Sequence, residues 1–151
     1  MILYRPVGLQ ELKLIAESGY RAFPPRLPKQ PIFYPVLNFE YAEQIASRWN
    51  TEDPNSGYAG IVLRFEVEGA YVQKFPVQVV GAADVHQELW VPAEELEEFN
   101  RHIVGEITVE AAYYGARFVG ERLSILSSLL QYENSVLNSH SVTSKQGNNT
   151  K

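Results

Sequence analysis

HQELWVPAEELEEFNRHIVGEITVEA, residues 86–111, is the stretch from which the rest of the chain is read. Glu88-Leu89-Trp90-Val91 has the aromatic and branched residues of a strand, with a carboxylate at its mouth. Pro92 has its φ locked near the helical value and no N–H to lose, so it suits the first position of a helix, which ends near Asn100. Glu94, Glu95, Glu97 and Glu98 give that helix a solvated face, the first two favoured by the helix dipole. Residues 107–111 then return as a strand. A strand, an acidic helix and a strand in close succession predict an α+β domain, with Glu88 set where a strand begins.

Upstream, the pattern repeats. Residues 1–4 read as a short strand ended by Pro6, and Leu9, Leu12, Ile15 and Ala16 recur at helical spacing until Gly19 supplies a stop. A proline-rich loop through Pro24, Pro25, Pro28 and Pro31 leads to a second strand at Ile32-Phe33-Tyr34. Asn38 can cap a helix whose Tyr41, Ala42, Ile45, Ala46 and Trp49 share one face. Turn residues at 51–57 give way to the clearest strand, 61–67. Residues 71–75 and 77–80 are further strand candidates, and Trp49 and Trp90 are expected in the core.

Downstream, the apolar residues from Tyr114 to Leu137 suggest a final helix, while residues 139–151 are too polar to offset the entropy of ordering them and read as a disordered tail. No internal repeat is present, so one domain over residues 1–138 is expected.

Composition narrows the function. The 151 residues carry a net charge of −5, which argues against a general grip on phosphate backbones and leaves nucleic acid as a secondary partner. Without cysteine there is no disulfide or thiolate site, and no apolar run approaches bilayer length, so a soluble cytoplasmic protein is expected. There is no glycine-rich phosphate loop, and His86, His102 and His140 are too scattered for a metal site. No serine elbow exists, and Asp53 and Asp84 lie in turns rather than beside a histidine.

What remains is an ordered constellation: Tyr4-Arg5 in the first strand, Phe33-Tyr34 in the second, Glu88 opening a later one. This order resembles the ADP-ribosyltransferase superfamily over roughly residues 3–111, and residues 88–109 are similar to its poly-ADP-ribose polymerase branch. The resemblance implies a split antiparallel sheet flanked by helices, with a C-terminal helix, and an NAD site in its cleft. It places Arg5, Tyr34 and Glu88 at the three motif positions, with Tyr4 as the aromatic before the arginine. Two departures stand out: Pro35 follows Tyr34 where one subgroup has a Ser-Thr-Ser run, and His86 stands two before Glu88 where another carries Glu or Gln.

The implied chemistry is coherent. Breaking the nicotinamide–ribose bond builds positive charge on the sugar, which a carboxylate accepting from the 2′-hydroxyl stabilises more in the transition state than in the ground state. Glu88 is the candidate. Arg5 would hold a phosphate or ribose oxygen, Tyr34 would stack on nicotinamide, and His86 would orient an acceptor or take its proton. Arg21, Arg26 and Lys29, in a region (residues 1–50) with six basic and four acidic residues, would suit a pyrophosphate; no metal is called for. Each residue also has a plain structural reading: Glu88 a solvated edge carboxylate, Arg5 a surface residue, Tyr34 strand packing, and the basic loop a solvated connection. An inactive member of the fold that binds a protein, or one acting on a nucleic-acid acceptor, stays open beside an enzyme with a protein acceptor.

Overall fold

The computed structural model describes residues 1–82 and 84–120, of which Met1–Val119 forms one compact unit. Its chain order is β1 (Ile2–Val7), α1 (Leu9–Glu17), β2 (Ile32–Phe33), α2 (Phe39–Arg48), β3 (Ala59–Val67), α3 (Gly69–Val72), β4 (Val77–Val79), β5 (Gln87–Leu89), β6 (Val91–Pro92), α4 (Leu96–Arg101) and β7 (Ile103–Tyr114). The expected α+β class is what the described residues show.

β3 is the spine. It pairs antiparallel with β1, Leu3 opposite Phe65 and Arg5 opposite Leu63, and with β7 on its other side. β4 pairs with β5, and β2 with β6. Val36 links these pieces through isolated bridges to Tyr4 and to Glu88, exchanging backbone bonds of 2.9 and 2.8 Å with Tyr4. In an antiparallel ladder the next exchanging pair would be Pro6 with Tyr34, but Pro6 has no N–H to give. Pairing between the two strands therefore stops after one bridge, and they part towards the end of β1.

Alternation sorts the side chains. Leu3 and Val7 face a large core with Phe33, Leu63, Phe65, Leu89, Val91 and Phe99, all buried. Val36 and Val62 face α2, against Ala42 and Ala46. The alanines let α2 approach so closely that a Cβ on Gly60 would stand 2.2 Å from the Ala46 carbonyl oxygen. Asn38 caps α2 as expected, Oδ1 accepting from the Tyr41 N–H at 2.8 Å while Nδ2 donates to the Val85 carbonyl at 2.6 Å. The proline-rich loop is fastened to α4 by Asn100, which accepts from the Phe23 N–H and donates to its carbonyl, at 2.9 and 3.0 Å.

Three expectations are corrected. Residues 69–72 are helical where 71–75 read as a strand, because a short apolar run carries no period. Trp49, at the C-terminal end of α2, is 71% exposed, and Trp90 is also exposed, so neither is a core residue. Tyr114 belongs to β7 rather than to a helix, and the helix and tail expected beyond residue 120 lie outside the described residues.

His102, at the end of α4, sits between Glu68 and Glu98 at 3.0 and 3.1 Å and stacks on Tyr71 with ring centroids 3.8 Å apart. The hydrogen bond to Glu68 raises its pKa above the ordinary 6.5, against a smaller effect of burial, with Glu98 adding to the rise. A folded pKa above the unfolded one means a contribution fully present below about 6.5 and lost as pH rises through the folded value. Thermal melts of wild type and His102→Gln should therefore differ most on the acid side of 6.5 and draw together as pH rises above it; a gap that widens with pH would contradict the ion-pair assignment.

Candidate functional site

The parted strands open a cavity of about 420 Å³, within the range of small-molecule sites. β1 supplies Arg5, Pro6 and Val7 to its wall; the proline-rich loop supplies Pro24, Pro25 and Arg26, and the segment after β2 supplies Tyr34 and Val36. The turns after α2 contribute Asn50, Asp53 and Ser56.

Arg5 is 7% exposed, not a surface residue. Its Nε and Nη2 grip Glu11 in α1 at 2.7 and 2.9 Å, and its guanidinium lies 4.7 Å from the Phe33 ring centre and 5.8 Å from that of Tyr34. Arg26 comes to the same place, its Nε donating to the Ile32 carbonyl at 3.1 Å and Nη1 standing 3.8 Å from Glu11. Arg26 is also 5.8 Å from the Tyr34 ring centre, so that ring has a guanidinium on each of two contacts. Burial first, then the charge of Arg5, lowers the pKa of Arg26; Glu11 and Tyr34 oppose this. Two guanidiniums thus share one carboxylate at this end of the wall, and Asp53 is the wall's second carboxylate, so the positive excess is local to the arginine end. Tyr34 is 41% exposed, leaving ring surface for a ligand.

Glu88 is buried, 8% exposed, because the bridge to Val36 and the pairing with β4 flank it on both sides. It is neither an edge nor a solvated residue. Tyr41 donates its hydroxyl to Oε2 at 2.9 Å and Trp90 its indole N–H to Oε1 at 3.1 Å. Burial, then the hydrogen bond and charge of Glu88, raise the Tyr41 pKa strongly, which keeps the phenol a donor; Tyr34 adds to the rise, so the two phenols are electrostatic neighbours.

These residues fall into two groups. Arg5, Arg26 and Tyr34 meet at the cavity, whereas Glu88 does not line it. Bridged residues share a face, so Glu88 lies with Tyr4 and Val36 on the α2 side, while Arg5, one residue on, takes the opposite face. Val36 in the cavity wall and Tyr34 beside Tyr41 are what join them. Tyr4 packs edge-on against Phe39, ring centres 6.1 Å apart, away from the cavity lining. Arg21 is exposed and stands 3.8 Å from Glu106, and Lys29 is exposed outside the wall.

His86 serves the scaffold. Its Nδ1 accepts from the Ala82 N–H at 3.0 Å, which leaves Nε2 as donor to Gln44 Oε1 at 3.0 Å, and its ring packs on Tyr41 with centroids 4.8 Å apart. Both nitrogens are engaged, and the ring presses the tyrosine that holds Glu88. Sequence reasoning missed Glu11 and Tyr41 as the partners of Arg5 and Glu88. Glu11 lies six positions beyond Arg5, across a strand-to-helix turn that no periodicity spans.

Among the described residues no group of side chains could hold a metal ion, and no helix is long and apolar enough to cross a membrane. Comparison with family models, curated proteins and solved structures found no significant match.

Proposed function

We propose that this protein has an ADP-ribosyltransferase-like fold, binds NAD, and transfers its ADP-ribose to a macromolecular acceptor. The observation that carries the reading is the meeting of Arg5, Arg26 and Tyr34 at one cavity; Glu88, held by Tyr41 and Trp90, lies on the other strand face and does not line that cavity, so its reach to a ribose is the part the experiment tests. A carboxylate held by two neutral donors keeps further lone pairs for a ribose hydroxyl and cannot swing away. The local positive charge where Arg5 and Arg26 share Glu11, away from the Asp53 carboxylate of the same wall, suits a phosphate, and Tyr34 suits a flat ring. In the reaction the bond from ribose C1′ to the nicotinamide nitrogen breaks. Nicotinamide leaves neutral with the electron pair, Glu88 stabilises the cationic sugar, and an acceptor nucleophile bonds to C1′ as it loses its proton.

Nicotinamide release from NAD, with water or the protein itself as acceptor, tests this. Glu88→Gln keeps size and hydrogen-bonding reach, so the fold should survive while release falls on the order of 10²–10³-fold, the usual loss for one electrostatic stabiliser. Equal release by the two proteins would remove the enzyme reading.

A second reading has its own support. Arg5 is bidentate to Glu11 and faces away from Glu88, which fits an inactive member of the fold that binds a partner through its cleft. NAD binding with no turnover by either protein would select it.

A further inference from the structure

The arginine end of the cavity has donors to spare. Arg26 spends its Nε on the Ile32 carbonyl, and its Nη1 stands 3.8 Å from Glu11, too far for a hydrogen bond. Its Nη1 and Nη2 therefore keep their N–H groups without a hydrogen-bond partner among the described residues. Arg5 spends Nε and Nη2 on Glu11, which leaves Nη1. None of these nitrogens is sealed from solvent, since the one buried polar side-chain atom among the described residues that is both sealed and unpartnered is Asn50 Oδ1. Both arginine side chains are nine-tenths or more buried and both line the cavity, so the cavity is where their open N–H groups can be reached. The Nη1–Nη2 edge of Arg26 is a planar fork that fits two oxygens of one phosphate.

The ring beside that fork has a preference of sign. Tyr34 is exposed, and the guanidiniums of Arg5 and Arg26 each lie 5.8 Å from its ring centre, with Glu11 offsetting only one of the two charges. The two flat rings of NAD differ in charge: adenine is neutral, whereas the oxidised nicotinamide is a pyridinium cation. Like charges repel more strongly in a partly buried wall than in water, so a cationic ring on Tyr34 is opposed and a neutral purine is not. The purine also stacks well on a phenol ring.

The reacting end leads to the same arrangement. Glu88 does not line the cavity, while Val36, which is bridged to Glu88, does. A nicotinamide ribose that reaches Glu88 must then lie beyond Val36, and the cavity is left to the half of the molecule that does not react.

We infer that the cavity holds the adenylate half of the dinucleotide, its phosphate on the Nη1–Nη2 fork of Arg26 and its adenine on Tyr34, with the nicotinamide half passing Val36 towards Glu88. This rests on the proposed use of NAD, and it reverses the pairing of Tyr34 with nicotinamide that the resemblance implies.

Calorimetric titration of the full chain with AMP, adenosine and nicotinamide mononucleotide decides it. AMP should bind on the order of tenfold or more tighter than adenosine, the worth of charge-assisted contacts to one phosphate. It should also bind roughly tenfold tighter than nicotinamide mononucleotide, which carries the same phosphate but a cationic ring. Arg26→Lys keeps the charge and loses the fork, so AMP affinity should fall roughly tenfold and adenosine affinity much less; Tyr34→Leu should weaken both. Adenosine or nicotinamide mononucleotide binding as tightly as AMP, or no binding of AMP, would overturn the inference, and these comparisons use wild type alone. Folded Arg26→Lys and Tyr34→Leu proteins that both bind AMP like wild type would place the nucleotide elsewhere and overturn it as well. Nicotinamide release from NAD is scored separately. A preference for AMP without release keeps the adenylate site and removes the reaction, whereas release with nicotinamide mononucleotide preferred keeps the reaction and overturns the orientation.

Discussion

Phe99→Ala should lower the free energy of unfolding by about 3–5 kcal/mol, the largest loss expected from any single truncation in this core. Phe99 is fully buried on α4 and its ring meets four others: Phe33 at 5.5 Å, Phe75 at 6.1 Å, Phe65 at 6.2 Å and Tyr71 at 6.3 Å between centroids. These rings come from β2, β3, α3 and the segment after α3, so no single element can move to fill the space. Edge-on and tilted contacts among aromatic rings add to the burial of their area. The damage should also reach the cavity, because the next residue, Asn100, is the clamp on Phe23 that holds the proline-rich loop carrying Arg26. Urea unfolding followed by circular dichroism measures the loss. A change below about 1 kcal/mol would mean that the cluster collapses around the gap, as cores with mobile walls do.

The helix that carries Phe99 was readable in advance, and the reason is local. The run of glutamates marked a helix here, although it starts at Leu96, after a 3-10 turn, and Pro92, expected as its first residue, ends β6 with an extended ψ of 140°; Asn38 before an apolar face likewise marked α2. β3 was clear because its apolar run holds Ile61, Val62, Phe65 and Val67 and follows turn residues, which together favour a strand over a helix. The failures share the opposite property. Trp49 keeps helical spacing with Ala42 and Ala46, yet α2 ends there, and its side chain passes beyond the sheet into solvent. Residues 69–72 were too few to show a period.

At the site, residue type pointed to Arg5, Tyr34, Arg26 and Glu88, but type says nothing about face. Arg5 and Glu88 are parted by a single step of strand alternation, since Tyr4, not Arg5, bridges Val36. A shift of one residue in that bridge would put them on the same face, which is the kind of distinction only register supplies. Glu88 was hard to place for a related reason: whether a strand is an edge depends on segments 50 residues away, here residue 36. Pro6 is the exception, a sequence feature whose missing N–H accounts for the parting of the strands and so for the position of the cavity.

Glu11→Gln is expected to destabilise the fold by about 3–5 kcal/mol, the cost of breaking a buried ion pair by removing one partner. Glu11 is 23% exposed at its side chain, and the guanidiniums that share it are less exposed still, at 8% for Arg5 and 10% for Arg26. Arg5 loses a bidentate grip; Arg26, whose pKa is already lowered by burial and by Arg5, loses the carboxylate that offsets both. With two cations then facing one cavity, the loss has a signature that a packing defect lacks: phosphate or sulfate should restore part of the melting temperature of Glu11→Gln, well beyond the effect of chloride at equal ionic strength. The double variant Arg5→Leu with Glu11→Leu should cost less than the sum of the singles, since it leaves one guanidinium, that of Arg26, without its carboxylate rather than two. If Glu11→Gln unfolds like wild type and anions shift neither protein, the arginine end of the wall carries no excess positive charge, and the phosphate end of the proposed ligand would have to lie elsewhere.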